Sequence, residues 1–216
     1  MRLFAAIVPP RAVLDELNGV LQSVEAPVEV PAPRRGLFGR RGGSATVRRQ
    51  AAASSHSAEL DRPSLAHMHL PITHFGNVTF GDSIQLANAL RADVATWRRT
   101  RVHFSGGAAL EWPGDQSVWA KLDGDLDPLM TVGRGVPDVV QRLGFFVDRR
   151  QFRPWLSVGT INDATTAPYL EALVAALDEF RGQDWTIESV SLMKRLPEAD
   201  GSTDFEEMER MPLATR

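Results

Sequence analysis

Apolar residues recur along this chain with two periods, every third or fourth residue and every second residue, which predict alternating helices and strands. Four segments have the helical period, and they span residues 11–24, 81–99, 127–143 and 163–180. Pro10 and Pro168 lie near the start of the first and last of them, where proline is favoured. In the third segment Gly133, Gly135 and Pro137 predict a break or kink, because glycine and proline destabilise a helix interior.

Short apolar or alternating runs predict seven strands, and these cover residues 3–8, 69–75, 101–110, 117–122, 152–161, 185–193 and 205–211. The third and fourth strands are separated only by the turn-rich residues 111–116, so we expect them to pair as a hairpin. A polar turn at 198–203 precedes the last strand. The order of the elements indicates an α+β fold of two similar halves, each with a sheet that its helices must cover.

The composition is that of a globular protein, with 43% hydrophobic residues in 216. There is no cysteine, which excludes disulfides and thiolate chemistry and suits a reducing compartment. The N-terminal apolar run is too short for a signal peptide or a membrane span, so we expect a cytoplasmic protein. The net charge of −3 and the pI near 6.0 provide no global attraction to nucleic acid or membranes, so any phosphate recognition must be local.

Residues 27–63 differ from the rest, because Pro, Gly, Ser, Ala and Arg dominate and no acidic residue occurs from Val30 to Ala58. We predict a flexible insertion within one domain that covers 1–216. Its arginines are Arg34, Arg35, Arg40, Arg41, Arg48 and Arg49. They are consistent with a basic flap that steers a phosphorylated or RNA ligand, or with a solvated segment, which is the usual meaning of a run of charge. Acidic residues near the C-terminus are predicted to form a solvated end, namely Glu198, Asp200, Asp204, Glu206, Glu207 and Glu209.

The strand that begins at His69 carries the most informative residues. Side chains alternate across a strand, so a buried face with Leu70 and Ile72 directs His69 toward an open groove and His74 to the opposite side. Gly76 then allows the chain to turn. A histidine at the start of a strand indicates a catalytic role only if a second catalytic group lies within reach of it.

Three stretches of the sequence carry a resemblance to a known family, and they are residues 2–9, 69–78 and 152–157. The chain resembles the 2H phosphoesterase superfamily, in particular the LigT-like RNA 2′,3′-cyclic phosphodiesterases or 2′-5′ RNA ligases. The resemblance implies a bilobal α+β fold with two antiparallel sheets, pseudo-twofold symmetry and outer helices. It also implies one His-x-Thr/Ser motif from each lobe, facing the other across a cleft.

Two of the four motif positions match the family pattern. His69 matches the first histidine and Ser157 the second hydroxyl, whereas Pro71 replaces the first hydroxyl and Trp155 replaces the second histidine. The resemblance therefore assigns catalysis to His69 and substrate binding to Ser157, Trp155 and Arg153, with no metal and no cofactor.

The loss of the second histidine matters chemically. Opening a cyclic phosphate without a metal needs a base for water and an acid for the departing oxygen, and each transfer contributes ~10²–10⁴-fold. An indole N–H cannot exchange a proton in this way, so Trp155 cannot replace an imidazole. His67 lies two residues before His69 on the predicted strand and is the alternative histidine; His103 and His56 have no spacing argument in their favour.

Trp155 leaves three hypotheses open. The first is a LigT-like phosphoesterase homologue that acts on or binds an RNA 2′,3′-cyclic phosphate or a 2′-5′ linked end, with activity reduced or lost. The second is a non-catalytic protein that binds a small cyclic or phosphorylated nucleotide, with Trp155 stacked on a base. The third is an interaction module in which Trp155 packs over His69 and fills the groove. In each case we expect a monomer that does not bind membranes.

Overall fold

The computed structural model describes residues 1–24, 59–147, 151–197 and 203–215. Within these ranges the helices are α1 (Arg11–Ser23), α2 (Phe80–Val94), α3 (Leu126–Arg142) and α4 (Ala167–Glu179). The strands are β1 (Arg2–Ile7), β2 (Leu70–Asn77), β3 (Thr100–Ala109), β4 (Ser117–Gly124), β5 (Trp155–Thr160), β6 (Trp185–Ile187), β7 (Ser189–Pro197) and β8 (Thr203–Pro212). The four predicted helices are confirmed, and so are the strands, with 185–193 divided between β6 and β7.

The predicted break in the third helix is wrong, because α3 is continuous and Pro137 lies inside it. Its glycines allow close packing instead. A Cβ atom on Gly133 would lie 2.1 Å from the ring of Phe152, and one on Gly135 would lie 2.3 Å from the ring of Trp97. These distances are far below van der Waals contact, so α3 can approach both aromatic rings only because two of its residues lack side chains.

The strands form two four-stranded antiparallel sheets, with the orders β2-β1-β7-β8 and β5-β4-β3-β6. The expected β3–β4 hairpin is present. The first lobe follows the order β1-α1-β2-α2, and the second lobe repeats it as β4-α3-β5-α4. This correspondence confirms the bilobal α+β fold with pseudo-twofold symmetry, and it makes β2 and β5 equivalent edge strands.

The edge strands β2 and β5 each carry a β-bulge, and the two bulges occupy equivalent positions in the two lobes. In β2 the pairing with β1 shifts so that Ile72 has no partner, between Pro71 and Thr73. In β5 the pairing with β4 shifts in the same way at Val158. An extra residue reverses the facing of all residues that follow it, so each bulge decides which side chains reach the cleft.

The two faces of the first sheet have different surroundings. Leu3, Ala5 and Ile7 of β1 lie in the main core with the helices and the second sheet. Phe4 and Ala6 lie on the other face, in a small apolar cluster with Met193 and Phe205. Full burial of an aliphatic side chain of this kind contributes roughly 1.5–3 kcal/mol, which fixes the facing of β1 and of the strands paired with it.

The residues at the end of the predicted insertion are ordered on the second sheet. Leu60 is fully buried, and Asp61 exchanges two backbone hydrogen bonds with Thr160 at the edge of β5 (3.0 and 2.8 Å). Arg62 donates to the carbonyl oxygen of Leu21 at the end of α1 (2.7 Å) and to the hydroxyl of Tyr169 (3.0 Å). Residues 59–62 therefore belong to the folded body.

Several predictions concern residues outside the described ranges. These are most of the predicted insertion with its six arginines and His56, the turn that begins at Glu198, and Asp200. Within the described ranges, no helix combines the length and the apolar character needed to span a membrane.

Candidate active site

His69 lies directly before β2 and on the cleft side of the first sheet. Its ring packs between Phe4 (5.0 Å between centroids) and Phe205 (4.9 Å). Its Nδ1 atom lies 2.8 Å from the carbonyl oxygen of His67. Because a carbonyl oxygen only accepts, Nδ1 must carry the hydrogen, and the neutral ring then presents a lone pair on Nε2. His69 thus has the tautomer that a general base requires.

Burial lowers the pKa of His69 from its ordinary 6.5 to about 4. The hydrogen bond to the His67 carbonyl opposes this effect, and the nearby imidazoles of His74 and His67 add to it. The ring is therefore neutral at pH 7 and able to accept a proton. A bound phosphate would favour the protonated form, because an anion at hydrogen-bond distance stabilises imidazolium.

We expected His67 to lie on the same strand as His69. It lies instead in a short 3-10 helix, Leu65–His67. Its Nε2 atom donates to Asp204 (2.8 Å), and its ring meets the ring of Phe205 edge to face. The acidic residues of β8 form ion pairs, and Glu206 and Glu207 are exposed, as expected for a solvated segment. The pairs are His67–Asp204, Lys194–Glu206, Arg210–Glu207 and Arg91–Glu209.

His74 lies on the cleft side, contrary to the prediction from strict alternation. The bulge at Ile72 reverses the facing of the residues after it, so His74 lies opposite Phe4 and its ring is 5.4 Å from the Phe4 ring. Its side chain is exposed, whereas Thr73 is buried. Three histidines of the first lobe therefore contact the rings of Phe4 or Phe205, and we call the set His67, His69 and His74 the histidine wall.

The second lobe places a different set of side chains opposite the histidine wall. Trp155 and Ser157 of β5 alternate with the buried Leu156 and Val158, so they share the cleft face of the second sheet. On β4, Lys121 pairs with Trp155 and Trp119 pairs with Ser157. We call Trp119, Lys121, Trp155 and Ser157, together with Arg153 and Trp112, the tryptophan wall.

Arg153 lies against two indole rings. Its guanidinium carbon is 4.8 Å from the ring centroid of Trp112 and 4.7 Å from that of Trp155. Lys121 places its Nζ atom 5.3 Å from the same Trp155 ring. Neither cation forms an ion pair with a carboxylate of the described residues, so both retain N–H donors for an anion.

Trp155 does not fill the groove over His69. Among the described residues its ring contacts are Trp119 (6.3 Å between centroids), Arg153 and Lys121, all from its own lobe. The ring contacts of His69 are Phe4 and Phe205. Trp155 is half-buried and presents part of its ring to the cleft.

A buried carboxylate supports the tryptophan wall. Asp115 is only 6% exposed and accepts from the backbone N–H groups of Ser117 (3.0 Å) and Glu111 (3.3 Å). It also accepts from Nε1 of Trp119 (3.0 Å). Three donors on one carboxylate hold the loop 111–116 and fix the orientation of the indole.

A cavity of about 770 Å³ lies between His74 of the histidine wall and part of the tryptophan wall. Its lining includes His74 from β2, Thr160 from β5, and Trp112, Trp119, Arg153 and Trp155. His69 and Ser157 lie on the same two faces but outside this lining. Within the described residues, no group of three His, Asp or Glu side chains is arranged to hold a metal ion.

Sequence reasoning missed Trp112, Asp115, Trp119 and Lys121. The last two could have been found, because Ser117, Trp119 and Lys121 alternate with the apolar Val118, Ala120 and Leu122 along β4. Trp112 and Asp115 lie in a loop, where no periodicity indicates which side chains turn toward a cleft.

Solved structures resemble this chain over its whole length. TT0787 of Thermus thermophilus has a TM-score of 0.65 at 15% identity and covers 100% of this chain and 99% of its own. A phosphoesterase has a TM-score of 0.67 at 15% identity, covering 99% and 98%. LigT of E. coli complexed with NADP+ has a TM-score of 0.67 at 14% identity, covering 99% and 98%. No protein-family model matches the sequence, and no curated protein matches it. The chain therefore has the LigT-like 2H phosphoesterase fold.

Proposed function

We propose that this cleft binds the phosphate of a small nucleotide, or of an RNA end with a 2′,3′-cyclic phosphate or a 2′-5′ linkage. We further propose that it opens the cyclic phosphate more slowly than a cleft with one histidine from each lobe. The observation that carries the proposal is the hydrogen bond from Nδ1 of His69 to the His67 carbonyl, which leaves Nε2 as a base on the cleft side. Arg153 of the second lobe lines the cavity together with His74 of the first.

Three groups are suited to hold the phosphate. Arg153 and Lys121 supply positive charge that no carboxylate of the described residues neutralises, and the hydroxyl of Ser157 can donate to a phosphate oxygen. A hydrogen bond to a charged group contributes about 1.5–3 kcal/mol. Structures of E. coli LigT complexed with 3′-AMP, phosphate and ATP agree with a phosphate ligand in a fold of this kind.

The indoles are suited to the base. Base stacking on an aromatic side chain contributes ~1–3 kcal/mol and tolerates any base. Trp155 and Trp112 present rings at the cavity, with Arg153 against both. Because one chain supplies both walls, the site needs no second copy, and the chemistry proposed for His69 needs neither a metal nor a cofactor.

Binding is tested by the intrinsic fluorescence of the tryptophan wall during titration with 3′-AMP and with adenosine 2′,3′-cyclic phosphate. We expect a saturable change, and Arg153→Met should weaken binding by roughly 10-fold or more. Arg142→Met is the matched control, because Arg142 pairs with Asp93 between α3 and α2 and should bind like the parent. Absence of any saturable change would refute the binding proposal.

Hydrolysis is tested with an oligonucleotide that ends in a 2′,3′-cyclic phosphate. Turnover that disappears in His69→Ala is the expected result. Saturable binding without turnover would instead favour the second candidate function, a non-catalytic nucleotide-end-binding protein. The observation that favours this candidate is Trp155, which occupies the place of a histidine in the family pattern that the sequence resembles.

A further inference from the structure

The geometry points to His74 as the second proton-transfer group of the cleft, taking the place of the imidazole that Trp155 has replaced. This inference rests on the proposed hydrolysis of a cyclic phosphate. It differs from the two-lobe arrangement in one respect, because both imidazoles would come from the histidine wall and the second lobe would supply only recognition.

The β-bulge of β2 creates this arrangement. Regular alternation would put His69 and His74 on opposite faces, since their positions differ by five, an odd number. The extra residue at Ile72 restores the same facing. A one-residue irregularity in the pairing of two strands thus converts a core-facing position into a cleft-facing one.

The rings of His69 and His74 contact the same residue although their Cα atoms lie far apart along the strand. Five residues of extended chain would separate the Cα atoms by roughly 16 Å. Yet both rings contact the single ring of Phe4, at 5.0 Å for His69 and 5.4 Å for His74, and both are tilted against it by similar angles, 34° and 39°. Phe4 is only 2% exposed, and both imidazoles are among the groups that cover its ring.

The surroundings of the two histidines suit different roles. His69 is largely buried and neutral, with Nε2 as its base. His74 is exposed and lines the cavity together with Arg153 and Trp155. A positive charge on His74 would lower the pKa of His69 further. Ring opening requires a base and an acid, and an imidazole can serve as either.

The step balances as a hydrolysis. Water attacks phosphorus while Nε2 of His69 removes its proton, and one new P–O bond forms. One P–O bond to the ribose breaks, and the imidazolium of His74 gives its proton to the departing oxygen. The products are a phosphate monoester and a free ribose hydroxyl. The proton then passes from His69 to His74 through solvent, which restores both groups.

His74→Phe is the test, because phenylalanine keeps an aromatic ring on Phe4 and removes only the titrating nitrogens. With a 2′,3′-cyclic phosphate oligonucleotide, we expect kcat to fall by ~10²–10⁴-fold while KM changes little. One limb of the pH–rate profile should also disappear. His74→Gln controls for any disturbance of packing by the phenyl ring, and its kcat should fall by a similar factor. His103→Gln is the histidine control, since His103 lies on β3 beside Asp184, and it should keep the parental rate.

The outcomes separate the two proposals. Parental kcat in both His74 variants, with turnover still abolished in His69→Ala, would overturn the role of His74 and leave the proposed function intact. Absence of turnover in the parent protein would overturn the proposed hydrolysis and this inference together, whereas nucleotide binding would stand on the fluorescence titration alone. Loss of kcat in both His74 variants and in His69→Ala supports the pair.

Discussion

Replacing His69 by phenylalanine should make the fold less sensitive to acid. Phenylalanine keeps the ring between Phe4 and Phe205 but cannot bind a proton. In the parent, the folded pKa of His69 is about 4, whereas the ordinary value, expected in the unfolded chain, is 6.5. The two states therefore bind protons differently between these pH values, and folding stability must depend on pH there.

The sign follows from which state binds the proton. Above pH 6.5 the imidazole is neutral in both states and adds nothing to the pH dependence. As the pH falls from 6.5 toward 4, the unfolded chain takes up a proton that the folded chain does not, so the free energy of unfolding decreases. Each pKa unit corresponds to about 1.36 kcal/mol, so the loss is about 2 kcal/mol at pH 5 and about 3 kcal/mol below pH 4.

Urea denaturation of the parent and of His69→Phe at about pH 7.5 and pH 5 measures this effect. The variant loses the hydrogen bond to the His67 carbonyl at both pH values, so only the change in the difference between the two proteins is informative. The free energy of unfolding of His69→Phe minus that of the parent should be about 2 kcal/mol larger at pH 5 than at pH 7.5. An unchanged difference, together with an NMR titration midpoint of the His69 ring near its ordinary value, would refute the reasoning.

Four further substitutions test other parts of the structure. Trp155→His should raise cyclic phosphodiesterase turnover by roughly 10²-fold or more in the oligonucleotide assay; an unchanged rate would mean that the cleft lacks the geometry for a histidine from each lobe. Gly133→Ala should lower the free energy of unfolding by about 1–3 kcal/mol through overpacking. Gly19→Ala is the control, because Gly19 lies in a helix interior with open space around it. It should raise the free energy of unfolding by roughly 0.5–1 kcal/mol. Equal effects of Gly133→Ala and Gly19→Ala in urea titrations would contradict the packing argument. Asp115→Ala should lower stability by at least about 1–3 kcal/mol and weaken 3′-AMP binding, because Trp119 loses its acceptor; unchanged fluorescence titrations would show that its orientation does not matter.

The sequence was sufficient for the elements and the topology because they depend on periodicity. The apolar stripes of α1 and α4 and the alternation along β4 are local patterns, and each predicts one element. The family resemblance then supplied the arrangement of the two sheets. His69, Ser157, Trp155 and Arg153 were all predicted for the cleft, and the structure brings them to its two walls, although their roles stay predictions.

What the sequence did not reveal depends on contacts between distant segments. The bulge at Ile72 arises from how β2 pairs with β1, and no local pattern marks it, so His74 was assigned to the wrong face. The stacking of Arg153 on Trp112 joins a loop after β3 to the residues before β5. Gly133 weakens a helix in isolation, yet here it admits Phe152, because tertiary packing outweighs propensity.

The contact of Arg62 with Leu21 has a consequence for how this fold tolerates change. Its guanidinium joins the chain just before residue 25 to the chain just after residue 58, and Asp61 is paired to the edge of β5. The two ends are held together by the body of the protein. Loss of the Arg62 guanidinium would therefore affect both ends at once, because it contacts the last turn of α1 and lies next to the residue that pairs with β5.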